Sequence, residues 1–318
     1  MIDFRYHLVS IIAIFLALTI GIVFGTTTIN QTVLRNIQSE VKRLSNDKAN
    51  QRDQIAALQS SSRQQQAFIA STEPLLEAGA LSGQRVVVLT APGTPRNVRT
   101  DLLAALRRAG AVLTNDIQLA NGFTDPKQAN TLDDLATRLV VPGKLPAKAS
   151  GASLAAAELA AVLVAKPGTR PASPDAIQTT LAGFQQGNFL SVSGTPGGTA
   201  SLAVVLVPPA PATPDENSAT GSKIFTDLTA RLAARAAGTL VAGPAPAAPG
   251  GTLAAVRGDA ALRQVTSSVD SVESPAGRAA AVLALRGALA GRLGAFGFGP
   301  GATSPLPPGP TPAASPAK

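Results

Sequence analysis

Cysteine is absent from all 318 residues, so disulfides, thiolate metal sites and a cysteine nucleophile are closed to this chain. Histidine occurs once, as His7, and methionine once, as Met1. Zinc sites draw on His and Cys, and soft copper sites on Cys, Met and His. Neither ligand set exists beyond the seventh residue, and a Ser-His-Asp triad is equally out of reach of the rest of the chain. Tryptophan is missing and aromatic residues make up 3%. With no dense basic cluster either, the stacking and phosphate contacts of nucleic-acid binding have no basis here. The net charge of +8 fits attraction to anionic lipid or an anionic envelope polymer.

What the chain does have begins at Leu8. Leu8 to Phe24 reads LVSIIAIFLALTIGIVF, without a charge. A helix rises about 1.5 Å per residue, so about 20 apolar residues cross a bilayer core and ~17 is the lower limit. Phe4, Tyr6, Gly25 and Ile29 extend the compatible stretch. A cleaved signal peptide has a shorter apolar core and a small-residue cleavage site. Gly25-Thr26-Thr27-Thr28 offers none, so an uncleaved signal anchor is the preferred reading over a cleaved signal or a buried soluble helix. Arg5 and the amino terminus supply the positive charge on the near side. That predicts a single-pass protein with a cytoplasmic N-terminus and an exported body. His7 reads as an interfacial residue.

A heptad pattern follows. Positions a and d fall on Leu34, Ile37, Val41, Leu44, Lys48, Gln51, Ile55, Leu58, Ser62, Gln65 and Ile69, and the 3–4 spacing never breaks. Such a stripe needs a partner helix. Lys48 and Gln51 interrupt it, and polar core positions limit register and oligomer number at some cost in stability. A parallel dimer is the expectation; an amphipathic helix folded onto the C-terminal region is the alternative. If continuous, Leu34–Ile69 reaches on the order of 50 Å. Glu73-Pro74 is expected to end or kink the helix.

Beyond residue 80 the patterning changes. Arg85–Thr90 (RVVVLT) reads as a buried strand, Asn97–Ala109 as a helix ended by Gly110, and Ala111–Leu119 as a second strand, together a right-handed parallel unit. Leu132–Val140, Leu154–Val164, Asp175–Gln186, Lys223–Ala237 and Pro275–Ala290 read as helices. Phe189–Ser193, Leu202–Val207, Thr239–Ala242 and Leu253–Arg257 read as strands, and Pro208–Ser222 as a loop. The sum is a mostly parallel three-layer α/β domain of the Rossmann or flavodoxin kind. The organisation is a stub and anchor over 1–29, a stalk over 30–73, the exported domain over 80–296 and a disordered Pro/Gly-rich tail over 297–318.

No catalytic constellation emerges, and the chain reads as a non-enzyme without a cofactor or bound metal. Two loops are placed beyond strand ends, where open α/β sheets hold ligands: Ala91–Arg96 and Ser193–Gly198. Neither has dinucleotide or P-loop spacing. Asp133 and Asp134 read as first-turn charges favoured by the helix dipole. Asp259, Asp270 and Glu273 are scattered with no base or metal partner readable, and Arg278 reads as a surface charge at a helix start.

Four segments together are similar to a known family. They are the opening RYHLVSIIAIFLALTIGIVFG, the charged heptad stalk, the strand GQRVVVLTAP, and Val269-Asp270-Ser271-Val272-Glu273-Ser274-Pro275-Ala276-Gly277-Arg278 leading to Leu283-Ala284-Leu285. The chain resembles the actinobacterial MctB-type copper transport proteins over roughly residues 1–295. The resemblance implies copper homeostasis or efflux in a cell envelope, the outer envelope included, and carries over no functional residue. A second view of similar proteins, as coiled-coil envelope partners in cell division or cell-wall assembly, implies a scaffold with a protein partner. A small-ligand sensor is the third expectation. One anchor cannot line a channel alone, and barrels need many alternating segments. A copper role is therefore expected to be indirect or to depend on an oligomer or partner.

Overall fold

The computed structural model describes residues 4–139, 151–194 and 197–308, and divides into two compact units, residues 1–65 and 66–318. The first element is the helix α1, Phe4–Glu77. Within it Tyr6–Gly25 forms 20 residues without Asp, Glu, Lys or Arg, long and apolar enough to cross a membrane. Pro74 lies inside α1 and does not end it. A proline forfeits one backbone hydrogen bond, but here only the last turn follows, and the Ala78 N–H closes that turn on the Pro74 carbonyl at 3.0 Å.

The second unit is an α/β domain. Its strands are β1 (Arg85–Thr90), β2 (Val112–Leu119), β3 (Leu190–Ser193), β4 (Leu202–Leu206), β5 (Gly238–Ala242), β6 (Ser267–Val269) and β7 (Ala295–Phe296). Its helices are α2 (Arg96–Arg108), α3 (Ala129–Arg138), α4 (Ala152–Leu163), α5 (Pro174–Gln186), α6 (Glu216–Arg235), α7 (Thr252–Gly258), α8 (Ala260–Arg263) and α9 (Pro275–Leu289). The sheet order is β3-β2-β1-β4-β5-β6-β7, and every neighbour pair is parallel except β2 with β3. Alternate residues of the central strands face opposite layers. Val86 and Val88 pack with Leu102, Leu106, Ala281 and Leu285 of α2 and α9. Val87 and Leu89 pack with Leu159, Leu163, Leu228 and Leu232 of α4 and α6. Both faces are covered, which is why the strands read as continuous apolar runs.

Several expectations change. Leu253–Arg257 is helical, within α7, and not a strand. The Pro208–Ser222 loop stops at Asp215, whose side chain accepts the Ser218 N–H at 2.8 Å while the Ser218 hydroxyl accepts the Asp215 N–H at 3.0 Å. That reciprocal cap starts α6 seven residues before Lys223. Residues 297–304, expected to be disordered, return against the sheet: the Gly297 N–H meets the Ser304 carbonyl at 3.0 Å and the Thr303 N–H meets the Ala295 carbonyl at 2.7 Å. Residues 309–318, Val140 and Thr195-Pro196 lie outside the described residues. Asp133 is the fifth residue of α3, not a first-turn charge; its carboxylate accepts the Gly151 N–H at 3.0 Å.

Candidate functional site

The strand order reverses between β1 and β4, since β2 lies to one side of β1 and β4 to the other. Open α/β sheets hold ligands in the crevice beyond the strand C-termini at this point. A cavity of about 250 Å³ sits there, lined by Pro92 and Gly93 after β1, Pro208 after β4, Asn121, Ser222 and Gly251. Its described lining contains hydroxyl, amide and apolar groups, and no titratable side chain. The loop Ala91–Arg96 is where expected. Ser193–Gly198 is not. Because β3 runs antiparallel, its far end leads back toward the start of β1, where the Gly197 N–H bonds the Thr114 carbonyl and Arg85 bonds the Gly197 and Thr199 carbonyls. The two loops cannot share one ligand.

Charged groups gather elsewhere in this unit, and two of the buried clusters involve the segment Val269–Arg278. In the first, Glu73 near the end of α1 receives Nε and Nη2 of Arg278 at 2.8 and 3.0 Å, and Nη2 of Arg108 at 2.9 Å. The Glu73 and Arg278 side chains are 5% and 13% exposed. Arg278 is therefore not a surface charge. Asp101 lies 3.9 Å from it, too far for a hydrogen bond. Glu77, one turn after Glu73, accepts Nε of Arg108 at 3.0 Å and is fully buried.

Burial pushes the Glu77 carboxyl up to about 7; the Glu73 charge adds to the rise and Arg108 opposes it. The folded state then holds a proton that the unfolded chain has released between pH ~4.5 and ~7. Stability from this group is full below the lower value and falls as pH rises through the upper one. Wild type should lose about 2–3 kcal/mol between pH 5 and 8 relative to Glu77→Gln. Urea unfolding of both proteins at three pH values, followed by far-UV circular dichroism, checks this. Parallel pH slopes in the two would contradict it.

The second cluster centres on Asp270, which receives Nη1 of Arg257 at 2.8 Å, the Ser271 hydroxyl at 2.8 Å, the Phe298 N–H at 2.7 Å and the Gly299 N–H at 3.0 Å. Burial alone would raise this carboxyl, but those donors together hold it below its ordinary value. Gly297, at φ +119°, passes so close that any Cβ would overlap the carboxylate. Nearby, Glu273 accepts the Ala245 N–H at 3.2 Å, and Asp259 caps α8 through the Ala261 N–H at 2.8 Å. The segment Val269–Arg278 thus carries architecture. Ser274 caps α9 through the Gly277 N–H at 3.1 Å, and Gly277 leaves room for the Ser271 carbonyl. No signal inside the segment reveals its partners, because those lie up to 205 positions away.

On α1, the expected membrane residues from Leu8 to Phe24 present only exposed side chains, and so do the expected seam residues Leu34, Ile37, Val41, Leu44, Ile55 and Leu58, at 51–70% exposure. Ile69 is half-buried. Among the described residues no group of three or more His, Cys, Asp or Glu is arranged to hold a metal ion.

An apolar helix long enough to span a bilayer, continued by a charged helix and followed by a doubly wound α/β domain, fits a single-pass membrane protein. The chain belongs to the family described as "Copper transport outer membrane protein, MctB", which it matches over residues 1–307. It is 28% identical over 313 residues to the copper transporter MctB of Mycobacterium tuberculosis strain H37Rv, covering 96% of this chain and 98% of that protein. The Mycobacterium leprae protein of the same name is 27% identical over 319 residues, with the same coverage.

Proposed function

We propose that this protein is a membrane-anchored component of copper transport or homeostasis in a cell envelope, and that it acts through assembly and not by carrying copper on its own side chains. The observation that carries the reading is a mismatch. The family is a copper transport family, yet beyond His7 this chain has none of the Cys, His and Met ligands that copper(I) sites use. One apolar helix cannot enclose a pore, so a conduit would need several copies or another protein. Arg5 supports a cytoplasmic N-terminus with the body outside. The exposed heptad stripe supports self-association as a parallel dimer. The uncharged lining of the switch-point cavity supports binding of a neutral ligand or a protein partner, and argues against acid–base catalysis.

The test has two arms. Cells lacking the protein should accumulate copper differently from wild type, and His7→Ala should restore wild-type accumulation as fully as the unaltered chain. The purified full-length protein in detergent should lose copper(I) on desalting against a chelator. Unchanged copper content in the deletion strain would remove the copper role. Stoichiometric retained copper would remove the indirect mechanism.

A further inference from the structure

The exposed stripe on α1 does more than call for a partner; its flanks restrict which partner fits and how. With Leu34 as an a position and Ile37 as d, the g positions are Val33, Glu40, Asp47, Gln54, Ser61 and Phe68. The e positions are Gln38, Ser45, Arg52, Gln59 and Gln66. Parallel coiled coils pair g of one helix with e of the next heptad on the other. In register, the g–e couples are then Val33–Gln38, Glu40–Ser45, Asp47–Arg52, Gln54–Gln59 and Ser61–Gln66. One couple carries opposite charges, and symmetry makes it two ion pairs per dimer. Those pairs bracket the Lys48/Gln51 layer, where the apolar seam fails. Asp47 and Arg52 are exposed, and among the described residues neither makes an ion pair within its own chain. Five residues apart on one helix, they do not face each other.

We infer that a second copy of this chain docks on the stripe in parallel and in register, and that Asp47 of each copy pairs with Arg52 of the other to set that alignment. This rests on the self-association proposed above. The antiparallel arrangement that superposes Lys48 on Gln51 brings Asp47 against Gln54 and Arg52 against Ser45, so both ion pairs are lost. A register slipped by one heptad places Asp47 against Gln59 or Ser45 and leaves a single opposite-charge couple, Glu40 with Arg52, where the in-register dimer has two. Lys48 at an a position also brings its ammonium beside Asp47 of the other copy. Three such ammonium groups in a trimer core would repel more strongly, which limits the assembly to two.

The absence of cysteine makes the test direct. In the full-length chain in detergent, Leu44→Cys and Leu58→Cys, both at d, should each form a disulfide-linked homodimer under oxidation, while Asn46→Cys, on the outer face, should not. Asp47→Arg or Arg52→Asp added to Leu44→Cys should weaken dimerisation by on the order of tenfold, since two attractive pairs become repulsive. Mixing those two variants, distinguishably tagged, should restore cross-linking selectively between unlike chains, as should the double swap Asp47→Arg/Arg52→Asp within one chain. Efficient d-position cross-linking that ignores both charge changes would overturn the pairing and leave the dimer standing. Cross-linking found only in mixtures of Leu44→Cys with Ile55→Cys chains would establish an antiparallel seam and overturn the orientation. A monomer by sedimentation, with no cross-link at any seam position, would remove the self-association and this inference together.

Discussion

Asp270→Ala is expected to lower unfolding stability by about 3–5 kcal/mol, the range for breaking a buried ion pair by deleting one partner. The Arg257 and Asp270 side chains are 4% and 0% exposed. With Asp270 gone, the guanidinium keeps the Phe296 and Pro300 carbonyls at 2.7 and 2.8 Å, but no counter-charge. For a domain of about 200 residues this is a fall in melting temperature of about 10 °C. The Phe298 and Gly299 N–H groups also lose their acceptor, so residues 297–304 should be cut by protease much sooner than in wild type. Asp270→Asn should rescue little, since an amide presents a donor where two backbone N–H groups and a guanidinium converge. Asp270 titrates below its ordinary range, so its contribution is full above pH ~4 and disappears as pH falls through the folded value. A loss below about 1 kcal/mol, with unchanged proteolysis, would show that the C-terminal return is held by something else.

The parts of this fold that were legible in the sequence are those whose cause is local. The charge-free run from Tyr6 to Gly25 and the 3–4 spacing after it specify a long helix before any partner is known. Arg85–Thr90 declares itself as a doubly covered strand because all its residues after Arg85 are buried. The start of α6 was hidden because its cap, Asp215 with Ser218, stands among prolines that suggest a loop. β6 and β7 contribute three and two residues, and Ser267-Ser268 carries no strand pattern; their order comes from parallel neighbours. The antiparallel turn of β3 was equally silent, and it moved one candidate ligand loop to the wrong end of the sheet. The partners of Asp270 and the burial of Arg278 escape the sequence for a common reason. A buried ion pair is defined by a partner distant in sequence, and nothing in VDSVESPAGR names Arg257 or Glu73. The four segments that carry the family resemblance include this one. Its residues now have physical reasons: a carboxylate that gathers the C-terminal return, a helix cap, a glycine under a carbonyl and an arginine reaching α1.

That arginine carries the second large effect. Arg278→Ala should cost about 3–5 kcal/mol, because Glu73 would remain buried with its charge answered only by Arg108. The Arg108 side chain is 41% exposed, so water screens it and it offsets only part of the loss. Arg278→Lys should recover less than half of the deficit. Nε and Nη2 grip the two Glu73 oxygens as a fork, and an ammonium cannot reproduce both bonds at once. The decisive comparison is a double-mutant cycle with Glu73→Gln. If the cost comes from an uncompensated buried carboxylate, Arg278→Ala in the Glu73→Gln background should cost about 1 kcal/mol, and the coupling energy should exceed about 2 kcal/mol. Additive effects would mean that Arg278 acts through its alkyl stem and the packing of α9, not through Glu73. Protonation of Glu77 one turn away bears on the same cycle. At pH 8, with Glu77 ionised beside Glu73, the carboxylate pair needs both arginines and the Arg278→Ala deficit should be largest. At pH 5 Glu77 is neutral, Arg108 is free to serve Glu73 alone, and the deficit should shrink. Equal deficits at the two pH values would separate the carboxylates and leave Arg278 paired with Glu73 alone.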